Sequence, residues 1–130
     1  AGEVVDATLD RWVDLIIFSA FVILYRDHFL LLLISLLALA CNVMVSYTTV
    51  KAEVFRIDVP RGLMRRVERI VYIGVAILLT PLVDWALYGI GWSAVAHRHP
   101  LVIGVLLLIG VIGNWSAMSR LKVLYGKLKP

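Results

Sequence analysis

The chain has 130 residues, of which 62% are hydrophobic and 17% are charged, and its mean hydropathy is +0.93. A soluble domain is about 45–50% apolar and about 25% charged, so this composition excludes an ordinary soluble protein and indicates a membrane protein. The formal net charge is +4. Because Cys41 is the one cysteine in the sequence, no internal disulfide can form, and we expect a packing role for it.

Four membrane-spanning helices are predicted, without a separate soluble domain. The uncharged stretches Phe29 to Val50 and Leu101 to Ser119 each exceed the roughly 18 residues that a span requires. In chain order, the predicted helices run from Glu3 to about Tyr25, from Phe29 to about Glu53, from near Arg61–Arg65 to about Val83, and from Pro100 to about Arg120.

Three further segments connect or follow these helices. The stretch Val54 to Leu63 contains proline and glycine and is predicted to be a loop. The stretch Asp84 to His99 is rich in aromatic residues, which is typical of the membrane interface. The basic tail from Leu121 to Pro130 is predicted to lie on the membrane surface.

The basic residues are distributed asymmetrically across the predicted membrane. Only Arg26 and Arg98 fall on one side. The other side holds eleven, namely Arg11, Lys51, Arg56, Arg61, Arg65, Arg66, Arg69, Arg120, Lys122, Lys127 and Lys129. The positive-inside rule therefore places this second group in the cytoplasm, and the basic balance indicates membrane orientation and not a nucleic-acid partner.

An acidic stripe opens the first helix, with Asp6, Asp10 and Asp14 at successive intervals of four residues after Gly2. Four helical steps nearly complete a turn, so these carboxylates share one face. The helix dipole accounts for acids in the first turn only, and like charges at this spacing repel each other. Arg11 points about 100° away from Asp10, so it neutralises the stripe poorly. We therefore favour a hard divalent cation such as Mg²⁺ over simple solvation of the acids.

A basic cluster is predicted at the same membrane depth. Arg61, Arg65 and Arg69 share a face if the third helix begins early, and Lys51 and Arg120 lie at neighbouring helix ends. Guanidinium groups suit phosphate, so the cluster predicts a phosphate-binding pocket. The alternative is that these cations set topology and contact anionic lipid headgroups. We prefer that alternative for Arg56, Lys127 and Lys129.

Four other polar residues are interpreted without assigning them chemistry. His97 and His99 are expected to belong to an ordinary interfacial loop on the side away from the acidic stripe. Asp84 and Asn114 lie at or within membrane helices, and each is expected to hydrogen-bond a neighbouring helix.

The spacing Gly2-x3-Asp6-x3-Asp10 resembles the second half of the CDP-alcohol phosphotransferase signature, D-x-x-D-G-x-x-A-R-(x)n-G-x-x-x-D-x-x-x-D. The run from Asp6 to Arg11 is also similar to the way that family continues. The resemblance extends over essentially the whole chain in helix order. Further runs resemble members that use inositol phosphate as acceptor, namely Ser46-Tyr47, Lys51-Ala52-Glu53 and Glu68-Arg69.

The resemblance implies an all-α polytopic transmembrane helix bundle with a six-helix fold, usually found as a homodimer. The four helices here would be the third to the sixth. We therefore expect residues 1–130 to form a single transmembrane domain that is truncated at its N-terminus, since the D-x-x-D-G-x-x-A-R half is absent. The implied cofactor is Mg²⁺ or Mn²⁺ in a two-metal site, completed by acids absent from this chain.

Carried over residue by residue, the resemblance makes Asp6 a metal ligand and Asp10 both a metal ligand and the general base. Gly2 would allow close approach of a neighbouring helix. Asp14 lies outside the signature and receives no catalytic role. The residues expected to bind the phosphate of the acceptor are Lys51, Arg69 and Arg120.

The implied function is transfer of a phosphoalcohol from a CDP-linked donor to a hydroxyl of a phosphorylated alcohol, with release of CMP. Inositol phosphate is the expected acceptor and glycerol phosphate the alternative, with the active site on the cytoplasmic side of a prokaryotic plasma membrane. A rival interpretation is a non-catalytic small membrane protein, such as a transporter or assembly subunit. In that case Asp6 and Asp10 would serve an ion path or a partner contact.

Overall fold

The computed structural model of the chain describes residues 2–58 and 65–128, and these residues form α-helices and no strand. The predicted all-α class is therefore confirmed. The helices are α1 (Gly2–Leu24), α2 (Phe29–Val54), α3 (Arg66–Gly89), the short α4 (Ser93–Ala96) and α5 (Pro100–Leu128).

Three of the described helices, α2, α3 and α5, are long and apolar enough to cross a membrane. The chain is thus a membrane protein built as a helix bundle. The predicted first helix is present as α1, but it is not among these three. The physical reason is its first half, where Asp6, Asp10, Arg11 and Asp14 interrupt the apolar sequence.

Helix α3 differs from its predicted bounds at both ends. It begins at Arg66, and Arg65 is its N-cap, whose backbone N–H donates to the Glu68 carboxylate at 2.8 Å. The early helix start, on which the shared face of Arg65 and Arg69 is conditional, is therefore not found, while Arg61 lies outside the described residues. The helix also continues through Pro81 to Gly89 and does not end near Val83.

Helix α5 is longer than predicted, because the basic tail continues the helix to Leu128. Leu124 lies in this extension and is only 4% exposed. Burial of this apolar side chain stabilises the added turns. The charges at Lys122 and Lys127 interrupt the apolar pattern, so the sequence does not predict these turns. Lys127 reaches across to the loop and donates to the backbone carbonyl of Asp58 at 3.0 Å.

The helices do not pack in chain order. Helix α1 packs against α2, α2 against α5, α5 against α3, and α4 against α3. The central α2–α5 interface contains the fully buried Ala38, Cys41 and Ile109. The packing role predicted for Cys41 is thereby confirmed.

Small residues allow α2 and α5 to approach closely. A Cβ atom added at Gly113 would overlap the sulfur of Cys41, and one added at Gly110 would press on Leu37. Glycine at such positions is a common device for membrane helix packing. The predicted interhelical role of Asn114 is also confirmed, since its amide donates to the Leu37 carbonyl of α2 at 3.0 Å.

The opposite end of the bundle from the acidic stripe has its own polar contacts. His99 Nδ1 lies 2.6 Å from Asp84 Oδ2, and the Tyr88 hydroxyl hydrogen-bonds the His97 ring at 2.9 Å. The Tyr25 hydroxyl donates to the Arg98 carbonyl at 3.3 Å. The two histidines, which lie between α3 and α5, therefore contact side chains of α3, and these contacts account for them structurally.

We predict that Gly113→Ala lowers the stability of the folded protein and that Gly104→Ala does not. Both replacements favour the helical backbone by up to about 1 kcal/mol. At Gly104 an added Cβ meets nothing within 4 Å, whereas at Gly113 it meets Cys41 in a packed interface. Overpacking costs about 1–3 kcal/mol, so Gly113→Ala should lower the melting temperature in detergent and Gly104→Ala should not.

The double variant Gly113→Ala/Cys41→Ala isolates the contact, because removing the sulfur removes the overlap. We expect it to recover part of the lost stability. Equal melting temperatures for Gly113→Ala and Gly104→Ala would contradict the close packing of α2 and α5.

Candidate functional site

A cavity of about 340 Å³ opens where the first half of α1, the end of α2, the start of α3 and the end of α5 meet. The antiparallel course of these helices brings their charged ends together. Its lining residues are Ala7, Asp10, Arg11, Asp14, Val45, Ser46, Thr49, Arg65, Arg66, Arg69 and Arg120.

The lining of this cavity, called here the arginine cavity, is strongly cationic. It contains five arginines and two aspartates, which corresponds to a formal charge of +3. A concave surface with charge of one sign and low-dielectric walls concentrates ions of the opposite sign. The arginine cavity is therefore suited to an anionic ligand.

Arg69 is the most buried of these arginines, at 2% exposed. Its position in the first turn of α3 directs the guanidinium into the bundle, and its Nε and Nη1 atoms have no hydrogen-bond partner among the described residues. Cationic N–H groups buried without an acceptor are energetically costly, because they have lost their water without gaining a partner. An anion in the cavity would supply both the acceptor and a counter-charge.

Arg120 approaches the same cavity from the other side. Its Nη1 donates to Thr49 Oγ1 of α2 at 3.0 Å, which orients the guanidinium, and its buried Nε has no partner in the described part of the chain. Two guanidinium groups in one cavity repel each other unless an anion lies between them. A phosphate monoester, with its double charge and several acceptor oxygens, matches this arrangement.

The acidic side of the cavity is organised by Arg66, the first residue of α3. Its Nε lies 3.2 and 3.1 Å from the two carboxylate oxygens of Asp14. Its Nη1 lies 2.5 Å from Asp10 Oδ2, and its Nη2 donates to the Asp10 carbonyl at 3.1 Å. One guanidinium thus binds two turns of α1 at once.

This arrangement identifies the counter-charge that the acidic stripe requires. The spacing along α1 predicts a cation from solution in that role and no function for Asp14, yet Asp14 is 3% exposed and paired with Arg66. Arg66 lies 52 residues away in sequence, so no local spacing could reveal it. The available signal was indirect, since a buried acid in a membrane helix requires a partner.

The other residues of the signature half are more open. Asp6 is exposed one turn before Asp10 and does not line the cavity. An added Cβ at Gly2 would meet nothing within 4 Å among the described residues. The close-packing role of Gly2 therefore remains a prediction.

A metal site remains a prediction as well, but the donors that are present suit one ion. Asp6 and Asp10 supply carboxylates one turn apart, and no larger group of His, Cys, Asp or Glu occurs among the described residues. Magnesium is commonly held by one or two carboxylates, with water and substrate phosphate completing its shell. Two oxygen ligands from α1 fit that pattern.

Lys51 is separated from the arginines with which it was grouped. Its Nζ lies 5.6 Å from the centroid of the Tyr47 ring and 6.0 Å from that of Phe55. These residues line a different cavity of about 220 Å³ at the α2–α5 surface, together with Leu124. The structure therefore brings Arg69 and Arg120 together but leaves Lys51 outside their cavity.

An apolar groove of about 290 Å³ adjoins the arginine cavity between α1 and α2. Arg11 and Ser46 line both spaces, so the polar and apolar regions are continuous at these side chains. The remaining lining residues of the groove are Leu15, Asn42, Val43, Tyr47 and Val50. A ligand with a charged head and an apolar chain would fit both regions.

Comparison of this chain with known protein families, with curated proteins and with solved structures finds no match in any of the three.

Proposed function

We propose that the chain is the membrane part of a CDP-alcohol phosphotransferase. The observation that carries the proposal is the buried Arg69, whose Nε and Nη1 have no partner among the described residues, in a cationic cavity that also contains Asp10. A phosphate-binding group and a carboxylate of the signature half are thereby adjacent. Transfer to a hydroxyl of a phosphorylated alcohol requires both.

In this proposal Arg69 and Arg120 bind the phosphate of the acceptor, with inositol phosphate as the preferred candidate. The carboxylate of Asp10 is 42% exposed, so an acceptor hydroxyl can reach it. Asp10 takes the proton while the hydroxyl oxygen forms a bond to the donor phosphorus and the bond to CMP breaks. Mg²⁺ or Mn²⁺ held by Asp6 and Asp10, with further acids from outside these 130 residues, would stabilise charge on the phosphates.

The adjoining apolar groove supports a lipid-linked donor. Its walls suit an acyl or isoprenoid chain, and Arg11 lies where the groove meets the arginine cavity. We further propose that this end of the bundle faces the cytoplasm of a prokaryote, because nine of the eleven basic residues that the structure describes lie toward it. The proposed assembly is a homodimer, as the resemblance implies.

We predict that Asp10→Asn in the full-length protein lowers the rate of CMP release by about 100- to 10,000-fold, the usual range for loss of a general base. The measurement follows CMP release from a CDP-linked alcohol in the presence of inositol phosphate and Mg²⁺. The matched control is Asp27→Asn, since Asp27 is an exposed acid at the opposite end of the bundle.

Full turnover by Asp10→Asn would contradict its assignment as the base. If the unaltered full-length protein released no CMP with any CDP-linked donor, with or without divalent cation, the transferase proposal would fail. The non-catalytic interpretation of Asp6 and Asp10 would then take its place.

We predict that Arg69→Gln raises the KM for the phosphorylated acceptor by about 10- to 100-fold, because a charge-assisted hydrogen bond contributes about 1.5–3 kcal/mol. The KM for the donor should change far less. Lys122→Gln is the matched control, since it removes one exposed positive charge near the same end of α5 without touching the arginine cavity.

The same assay tests the prediction for Lys51. Its position outside the arginine cavity leads us to expect a smaller rise in acceptor KM for Lys51→Gln than for Arg69→Gln. An unchanged acceptor KM in Arg69→Gln would refute the phosphate-pocket assignment.

A further inference from the structure

Arg66 lies on the boundary between two regions of opposite charge. Its Nη1 contacts the carboxylate of Asp10, yet the same side chain lines the arginine cavity beside Arg69 and Arg120. About a third of the side chain, 35%, is exposed, so the guanidinium is not enclosed by protein on all sides. The guanidinium of Arg66 therefore contacts Asp10 and also faces the open space of the cavity.

The two acids hold Arg66 in different ways. Asp14 is buried and binds Nε through both carboxylate oxygens, close to the point where the guanidinium joins the side chain. Asp10 is 42% exposed and contacts Nη1, one of the two outer nitrogens. Asp14 therefore anchors the guanidinium, together with the Asp10 carbonyl that accepts from Nη2, and the contact with the Asp10 carboxylate is the one that a competing ion can displace.

A divalent cation at Asp6 and Asp10 is such a competitor. It would take the carboxylate that Nη1 now contacts, and its double positive charge would repel the guanidinium there. Released from the Asp10 carboxylate, Nη1 would have N–H groups free for the cavity, while Nε stays on Asp14 and Nη2 on the Asp10 carbonyl. An anion in the cavity, beside Nε and Nη1 of Arg69, would accept from Nη1 of Arg66.

We propose that Arg66 is a positioning residue that couples divalent-cation binding at Asp6 and Asp10 to phosphate binding in the arginine cavity, with Asp14 as its anchor. This inference rests on the proposed function, whose metal and phosphate sites it connects. Because coupling between two binding equilibria is reciprocal, phosphate strengthens cation binding by the same factor. The practical consequence is that the acceptor site reaches full affinity only after the cation is bound.

The experiment is titration calorimetry at constant pH on the full-length protein in detergent, with inorganic phosphate as the probe. Phosphate is titrated without divalent cation and then with saturating Mg²⁺, and a protein-free titration corrects for the magnesium phosphate complex. We expect Mg²⁺ to lower the Kd for phosphate by about tenfold, within the range of about 5- to 150-fold usual for coupled sites.

Three variants and one control variant test whether the coupling depends on Arg66 and its anchor or on positive charge in general. In Arg66→Gln the effect of Mg²⁺ on the phosphate Kd should fall to twofold or less, whereas Arg66→Lys, which keeps a positive charge, should recover part of it. In Asp14→Asn the charge of Arg66 remains but its anchor is weakened, so the coupling should also decrease. Lys122→Gln, outside the cavity, should retain the full coupling.

The outcomes distinguish this inference from the proposed function. If phosphate binds equally well with and without Mg²⁺, or if Arg66→Gln keeps the full effect of Mg²⁺, the coupling role is overturned while CMP release is unaffected by that result. If phosphate does not bind under either condition, the arginine cavity is not a phosphate site and both proposals fail. Loss of coupling in Arg66→Gln and Asp14→Asn, with retention in Lys122→Gln, supports the inference.

Discussion

The ion pairs of Arg66 are the interaction on which the organisation of the site depends. Helix α1 packs against α2, and α3 packs against α5, so these two outer helices have different principal neighbours. Arg66 joins them by binding Asp10 and Asp14 from the start of α3. This link holds the acidic stripe beside the arginine cavity.

Charge balance explains why the arginine cavity remains open. Asp14 is buried and paired, and Asp10 is partly paired, so the acids compensate Arg66 and leave Arg69 and Arg120 without a carboxylate partner in the described part of the chain. Filling the cavity with apolar side chains would bury those guanidinium groups at high cost. An anion that binds there reversibly would satisfy these guanidinium groups, as the proposed function requires.

The α2–α5 interface provides the rigid support for this arrangement. Cys41 and Ala38 are fully buried opposite Gly113 and Gly110, which lets the two backbones approach closely. Near the end of the same interface Thr49 hydrogen-bonds Arg120. Close packing of α2 and α5 therefore positions one wall of the cavity. The ion pairs of Arg66 with Asp10 and Asp14 position the opposite wall, between α1 and α3.

The arginine cavity and the apolar groove are continuous at Arg11 and Ser46, so the proposed site has an apolar side and a polar side. A lipid-linked molecule approaching from the membrane would meet the groove first and the arginines next. A water-soluble phosphate would reach the arginines from the exposed end. The two substrates of the proposed reaction could thus enter from different phases and meet beside Asp10.

The sequence by itself determined the all-α membrane bundle, the approximate helices, and the gathering of acids and arginines at one end. These features follow from apolar run length, from four-residue spacing and from the asymmetry of basic residues, all of which are local or additive. The packing role of Cys41 and the interhelical contact of Asn114 could likewise be inferred from their place in apolar helices. Helix ends were less predictable, because burial of Leu124 extends α5 past charges that hide its pattern.

Only the tertiary structure decided which charges face each other. It paired Asp14 with Arg66, left Nε and Nη1 of Arg69 without a partner among the described residues, and put Lys51 on another surface, although all four residues lie toward the same end of the bundle. The physical reason is that helix order in space, α1–α2–α5–α3, differs from helix order in sequence. Ion pairing depends on a few ångströms between side chains of separate helices, and spacing along a single helix carries no information about that distance.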